Sequence, residues 1–223
     1  MDGNGRWAKA RGMDRLMGHQ AGTESVRQVV EAAAEVGIAY LSLFAFSAEN
    51  WGRPQAEVDG LMELLIRAVH AETPSLIKNN VKLLAIGELS HLPARVRESF
   101  MQSIRDTAGA TGLQLILAIS YSGTWDILQA ANRYAADLLS GKVEINSLDS
   151  TIFESYLSTA GIPYPDLLIR TSGEQRISNY MLWQLAYTEF YFSQKLWPDF
   201  RREDFLKALE EYSERERRFG QIK

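Results

Sequence analysis

Ile38-Ala39-Tyr40-Leu41-Ser42-Leu43-Phe44-Ala45-Phe46 is the run that decides the fold class. It is almost continuously apolar and of strand length, the pattern of a strand covered on both faces, as in a parallel sheet. Upstream, Thr23 is placed to N-cap a helix carrying Val26, Val29, Val30, Ala33 and Ala34 at helical spacing, and Gly37 is placed to end it. Downstream, Pro54 opens a long helix over 55–79, interrupted near Pro74. Further strands are predicted at 81–86, 113–119 and 166–170, and helices at 92–108 and 124–139. The tail, 201–219, reads as an amphipathic helix with Phe205, Leu206, Leu209 and Tyr212 toward a core. Strands alternating with helices predict one α/β domain over 1–223, a mainly parallel central sheet flanked by helices.

Composition narrows the class. With 46% hydrophobic residues in 223 the chain can bury a substantial core, and no apolar run approaches the length of a membrane span. There are no cysteines, which excludes disulfides and thiolate-held metals. A net charge of −4 argues against nucleic acid as a partner. An anion site in this chain must therefore be locally basic.

Such a site is expected where the loops after parallel strands converge. Those loops are 47–54, 87–88, 120–125 and 170–178, and most combine glycine with hydroxyls or cations. The opening stretch Met1-Asp2-Gly3-Asn4-Gly5-Arg6-Trp7-Ala8-Lys9-Ala10-Arg11-Gly12 sets one carboxylate beside glycines and cations. A tight turn feeding a helix N-terminus there would direct backbone N–H groups at a diphosphate. Within 170–178, Arg170 and Arg176 with Thr171, Ser172 and Ser178 can clamp a diphosphate, or be surface arginines in a connection. Asp2 suits magnesium held by one carboxylate plus substrate oxygens, or a helix N-terminal acid. His19 is a proton donor, a phosphate contact or a satisfied polar residue; His70 and His91 read as structural. Glu49-Asn50-Trp51 offers an acid, an amide and an anchoring indole, and Glu189 is an acid among aromatics that needs a cation partner. Leu61, Met62, Leu64, Leu65, Ile66 and Val69 make the long helix apolar around most of its girth, for a filled core or for a cavity wall.

The segments MDGNGRWA, RLMGH, FSAENWGRP, IRTSGEQRIS, WQLAYTEFYF with LWPDF, and RERRFG occur in this order along nearly the whole chain. In this the chain resembles the cis-prenyltransferases, most of all the bacterial undecaprenyl diphosphate synthases. The resemblance implies a parallel-rich sheet with a hydrophobic tunnel, a homodimer, and a Mg2+-dependent enzyme that adds isopentenyl diphosphate in cis to an allylic, farnesyl, diphosphate. The product would be a long polyprenyl diphosphate, undecaprenyl diphosphate for the cell-wall carrier lipid. It also implies a cytoplasmic protein in transient contact with the inner membrane face through its lipid product.

By motif, Asp2 is the metal-linked catalytic aspartate, and Gly3, Asn4, Gly5, Arg6 and Trp7 belong to the allylic diphosphate cradle with Arg15 and His19. Ser47, Glu49, Asn50, Trp51 and Arg53 form the loop over the reacting centre, Asn50 serving the proton loss. Arg170, Arg176 and Ser178 would bind isopentenyl diphosphate, and Glu189 would complete the magnesium site. Leu113 would help close the tunnel floor, and Arg218-Phe219-Gly220 would reach toward a partner's site. Relatives carry an apolar strand just before the DGNGRW motif, so that strand is expected to be absent ahead of Met1. Gln175 stands where many relatives have histidine, and Ser122 and Thr124 where many read Gly-Gly-Arg. The alternative within the same fold is a non-catalytic subunit that stabilises a catalytic partner, though such partners usually lose the DGNGRW residues. An unrelated phosphate-ester enzyme would leave these motifs unexplained.

Overall fold

The structure is a computed structural model and describes residues 1–216. Arg218, Phe219 and Gly220 lie outside the described residues. The spine is a parallel three-stranded sheet in the order β1 (Tyr40–Ser47), β3 (Gln114–Tyr121), β2 (Lys82–Ile86). Of these it is central β3, not β1, that is covered on both faces. Leu115, Leu117 and Ile119 enter the main core, while Ile116 and Ala118 enter a second cluster with Tyr121, Leu168, Met181 and Leu185. β1 starts two residues later than the apolar run and is only partly buried, because its outer edge borders a cavity.

β4 (Leu167–Arg170) does not join that sheet; it pairs in parallel with β5 (Glu189–Phe192). No ladder among the described residues links β1 to β4, so the single sheet expected from the sequence is two. β5 escapes a sequence reading because its four residues mix an acid with aromatics and show no alternation of burial.

The helices are α1 (Asn4–Lys9), α2 (Arg15–Glu35), α3 (Gln55–Lys78), α4 (Ala94–Asp106), α5 (Gly123–Leu139), α6 (Ser150–Glu154) and α7 (Arg202–Ser213). α2 begins two turns before the predicted cap. Asp14 is the cap, its carboxylate accepting from Leu16 N at 2.8 Å, whereas the Thr23 hydroxyl donates inside the helix to Gln20 O. α3 runs unbroken through Pro74. Proline removes one backbone donor there, and the neighbouring Thr73 hydroxyl, 2.7 Å from Val69 O and 2.8 Å from Ser103 Oγ, ties the same turn to α4. α1 lies on α2 so closely that a Cβ on Gly18 would stand 2.0 Å from Asn4 O, which explains a glycine in mid-helix. Bonds between Asp2 and Thr171 then set this opening turn at the carboxyl end of β4.

Candidate active site

A cavity of about 1030 Å3 runs between α2, α3, β1 and β4. Its walls are apolar, with Val26, Val29, Val30, Leu41, Leu43, Leu65, Ala68 and Leu167 among them. Leu61, Met62, Leu64, Leu65 and Val69 of α3 line it, and all of these but Leu64 also belong to or pack on the main core, so the apolar girth of that helix is core and cavity wall at once, while Ile66 packs on the core alone. Leu113 is buried in that core, 3% exposed, and the cavity's wall on β3 begins only at Leu115. The expected floor residue therefore supports the wall from behind.

Polar groups gather where the cavity meets the carboxyl ends of β1 and β4: Asp2, Asn4, His19, Ser47, Asn50, Arg53, Arg170, Arg176 and Ser178. Asp2 is fixed through its backbone. Its N–H donates to Thr171 Oγ1 at 3.0 Å, while its carbonyl accepts from that hydroxyl at 2.7 Å and from Trp197 N at 3.0 Å. Its carboxylate lies 3.0 Å from Arg170 Nη2 and 3.5 Å from Arg6 Nη2. Partial burial pushes the carboxyl pKa up, but hydrogen bonds from Arg170 and Ser172 and the two positive charges outweigh it, and the net shift is downward. Asp2 is an anion at neutral pH.

Gly3 introduces α1 at φ +108°, and a Cβ there would stand 2.9 Å from the Leu196 side chain, so no other residue fits. No side chain caps α1. The Arg15 guanidinium lies over Gly5, 3.1 Å from where a Cβ would be. Glu57 Oε1 accepts from Arg15 Nε at 3.3 Å and from Arg53 Nη1 at 2.9 Å, holding both cations beside His19. Burial chiefly, then the charges of Arg53 and Arg15, lower the His19 pKa to about 4 against the pull of Glu57. His19 is a neutral imidazole. In the turn after β1, Asn50 Oδ1 accepts from Ser47 N at 3.2 Å. Across the mouth, Arg170 Nη1 donates to Ser178 Oγ at 2.8 Å and to the carbonyl of Arg176. Glu174 pairs with Arg6 at 3.0 Å and with Arg176.

Of the residues expected at the site, Gly3, Gly5, Arg6, Trp7, Arg15, Glu49, Trp51 and Glu189 do not line the cavity itself. Trp7 donates to Asp199 Oδ1 at 2.7 Å under the Arg11 guanidinium. Trp51 stacks on His91 at 4.8 Å and donates to Ser120 Oγ, anchoring its turn to β3. Glu49 accepts from Asn179 at 2.7 Å. Glu189 begins β5 opposite Leu167, whereas Arg170 lies opposite Phe192, so Glu189 sits three strand residues, roughly 10 Å, from the register of Arg170. Its partner is Arg215 at 2.9 Å, and within one chain it does not meet Asp2.

Sequence reasoning misses Glu57, Glu174 and Asn179. Only Glu57 carries a local signal, lying one helical turn from Arg53 at the start of α3.

The family model described as putative undecaprenyl diphosphate synthase matches residues 1–220. The chain belongs to the undecaprenyl diphosphate synthase family. Among its curated family relatives, an isoprenyl transferase of Porphyromonas gingivalis is 52% identical over 220 residues, covering 99% of this chain and 87% of the relative. A ditrans,polycis-undecaprenyl-diphosphate synthase ((2E,6E)-farnesyl-diphosphate specific) of Coxiella burnetii is 50% identical, covering 99% and 93%. Of solved structures, lavandulyl diphosphate synthase from Lavandula x intermedia, in complex with dimethylallyl diphosphate, superposes with a TM-score of 0.96 at 38% identity, covering 99% of this chain and 95% of that one. A probable undecaprenyl diphosphate synthase from Campylobacter jejuni gives 0.80 at 37% identity, covering 91% and 93%. Membership in this family makes the chain a prenyltransferase by class.

Proposed function

We propose that this chain elongates farnesyl diphosphate with isopentenyl diphosphate units in cis, to a polyprenyl diphosphate of undecaprenyl length. The observation that carries the reading is the union of a cation-ringed carboxylate with a long apolar cavity of about 1030 Å3. Such a shape suits a ligand with a diphosphate head and a growing hydrocarbon tail.

In each condensation the allylic C1–O bond breaks with its electron pair leaving on diphosphate. The isopentenyl C4 bonds to C1, and a proton leaves C2. Arg6, Arg15 and Arg53 hold the departing diphosphate, with the uncapped start of α1 turning N–H groups toward it. His19, being neutral, contributes a hydrogen bond and no charge. Arg170, Arg176 and Ser178 hold the second diphosphate. Asn50, its amide oriented by Ser47 N–H, faces the departing proton.

No group of three or more potential ligands suited to a metal occurs among the described residues. A single half-exposed carboxylate, Asp2, fits Mg2+ that brings its other ligands from diphosphate and water. When bound, Mg2+ would add positive charge to the leaving diphosphate. Glu189 would enter such a site only from another chain, in a homodimer. No described helix is long and apolar enough to cross a membrane. A cytoplasmic enzyme meeting the membrane surface only through its product fits this reading.

The test is incubation with farnesyl diphosphate, labelled isopentenyl diphosphate and Mg2+, with and without EDTA, followed by chain-length analysis. Metal-dependent products of about eleven isoprene units are expected from the family resemblance. A folded protein that forms none would favour the non-catalytic alternative.

A further inference from the structure

Three separate segments meet at one side chain that the proposed chemistry leaves unused. Asn179 Nδ2 lies 2.7 Å from Glu49 Oε1 and 3.0 Å from Thr124 Oγ1, and its Oδ1 accepts from Thr124 N at 3.0 Å. Its carbonyl accepts from Gly123 N at 2.6 Å. Asn179 is thus engaged with the turn after β1 and with the start of α5, and it belongs to the loop after β4. On either side of these bonds stand residues of the candidate site. Glu49 precedes Asn50, and Asn179 follows Ser178, which accepts from Arg170.

The backbone shows that this junction is held in place. Ser178, Asn179 and Met181 have φ of 51°, 60° and 45°, a left-handed conformation that asparagine tolerates and serine and methionine adopt rarely. Tyr180 pins the segment from the other side, stacked on Phe44 at 4.5 Å with its hydroxyl 2.6 Å from Ser42 Oγ. Asparagine at positive φ is often no more than a turn residue. Here the amide is used at both ends, across two other segments, which a turn does not require.

We propose that Asn179 is a positioning residue that fixes the distance between the Asn50 turn and the Arg170–Ser178 loop. The inference rests on the prenyl-transfer reading above. It also gives a structural role to the loop at Ser122 and Thr124, because Thr124 offers Asn179 both a donor and an acceptor. With this clamp intact, the isopentenyl diphosphate head and the group facing its C2 proton keep one geometry through every cycle.

Two substitutions and a cycle test it on the full chain. Asn179→Gly relieves the backbone and deletes the amide. Asn179→Asp keeps an acceptor for Thr124 N but turns a carboxylate oxygen on Glu49. Both are expected to raise KM for isopentenyl diphosphate and lower kcat, together about tenfold or more in kcat/KM, with KM for farnesyl diphosphate within about twofold. In a Glu49→Gln background the new amide can donate to the new carboxylate, so Asn179→Asp is expected to cost at least about fivefold less there than in the wild type. Wild-type kinetics from Asn179→Gly would show that only the turn mattered and overturn the inference, as would an equal cost of Asn179→Asp in both backgrounds. Absence of product from the wild type itself would overturn the prenyl-transfer reading and this inference with it.

Discussion

The carboxylate of Asp2 and the guanidinium of Arg170, 168 residues apart in sequence, meet at 3.0 Å at the mouth of the cavity. The strand that ends in Arg170 and the turn that begins the chain are thereby joined through charge, while Thr171 joins them through the backbone.

Backbone bonds to Thr171 and Trp197 hold the turn at Asp2 without the help of its carboxylate. Asp2→Ala is expected to lower turnover by about 10²-fold or more with little change in the thermal midpoint. Steady-state kinetics beside a melting curve check both, and near-normal turnover would sink the metal–diphosphate assignment.

His19 makes stability depend on pH in a definite direction. Its folded pKa, about 4, lies below the ordinary 6.5, so the unfolded chain takes up a proton that the folded chain refuses. The contribution is level above pH 6.5 and turns against folding as pH falls from there toward 4. Urea midpoints between these limits should fall more steeply for the wild type than for His19→Gln. Parallel curves would show that the imidazole is not held neutral by burial.

Glu57 is the shared anchor of Arg15 and Arg53. Glu57→Ala should release both guanidiniums and raise KM for farnesyl diphosphate about tenfold, the scale of one lost charge-assisted hydrogen bond. Titration of the allylic substrate at saturating isopentenyl diphosphate measures it; an unchanged KM would mean that the cations are placed by other contacts.

Ala68 lines the cavity on α3, and a larger side chain there occupies volume that a growing chain needs. Ala68→Phe is expected to shift products toward fewer isoprene units while the first condensation continues. Chain-length analysis of the variant decides this, and an unaltered product distribution would place the growing chain elsewhere.

Sequence periodicity locates the alternating strands and helices because β3 and the helices bury residues in regular patterns. It does not show that the sheet divides, since β1 and β4 are both apolar enough to be inner strands and only the missing ladder separates them. Nor does it separate core from cavity on α3: Ile66 and Leu65 are equally apolar and both pack on the core, yet only Leu65 also lines the cavity. Motif resemblance picks out the cations at the mouth. Glu57 lies one helical turn from Arg53, but its bond to Arg15, the pairing of Glu174 with Arg6 and the bridge made by Asn179 depend on contacts between distant segments, which no local pattern encodes.

Glu57 holds Arg15 and Arg53, and Glu174 holds Arg6 and Arg176, so each carboxylate is shared between two guanidiniums. Each carboxylate therefore cancels only half of the positive charge it gathers, and the mouth keeps a standing surplus of cation presented at fixed spacing. Such a site discriminates by valence: a monophosphate reaches one held pair, whereas a diphosphate can span guanidiniums that belong to different carboxylates.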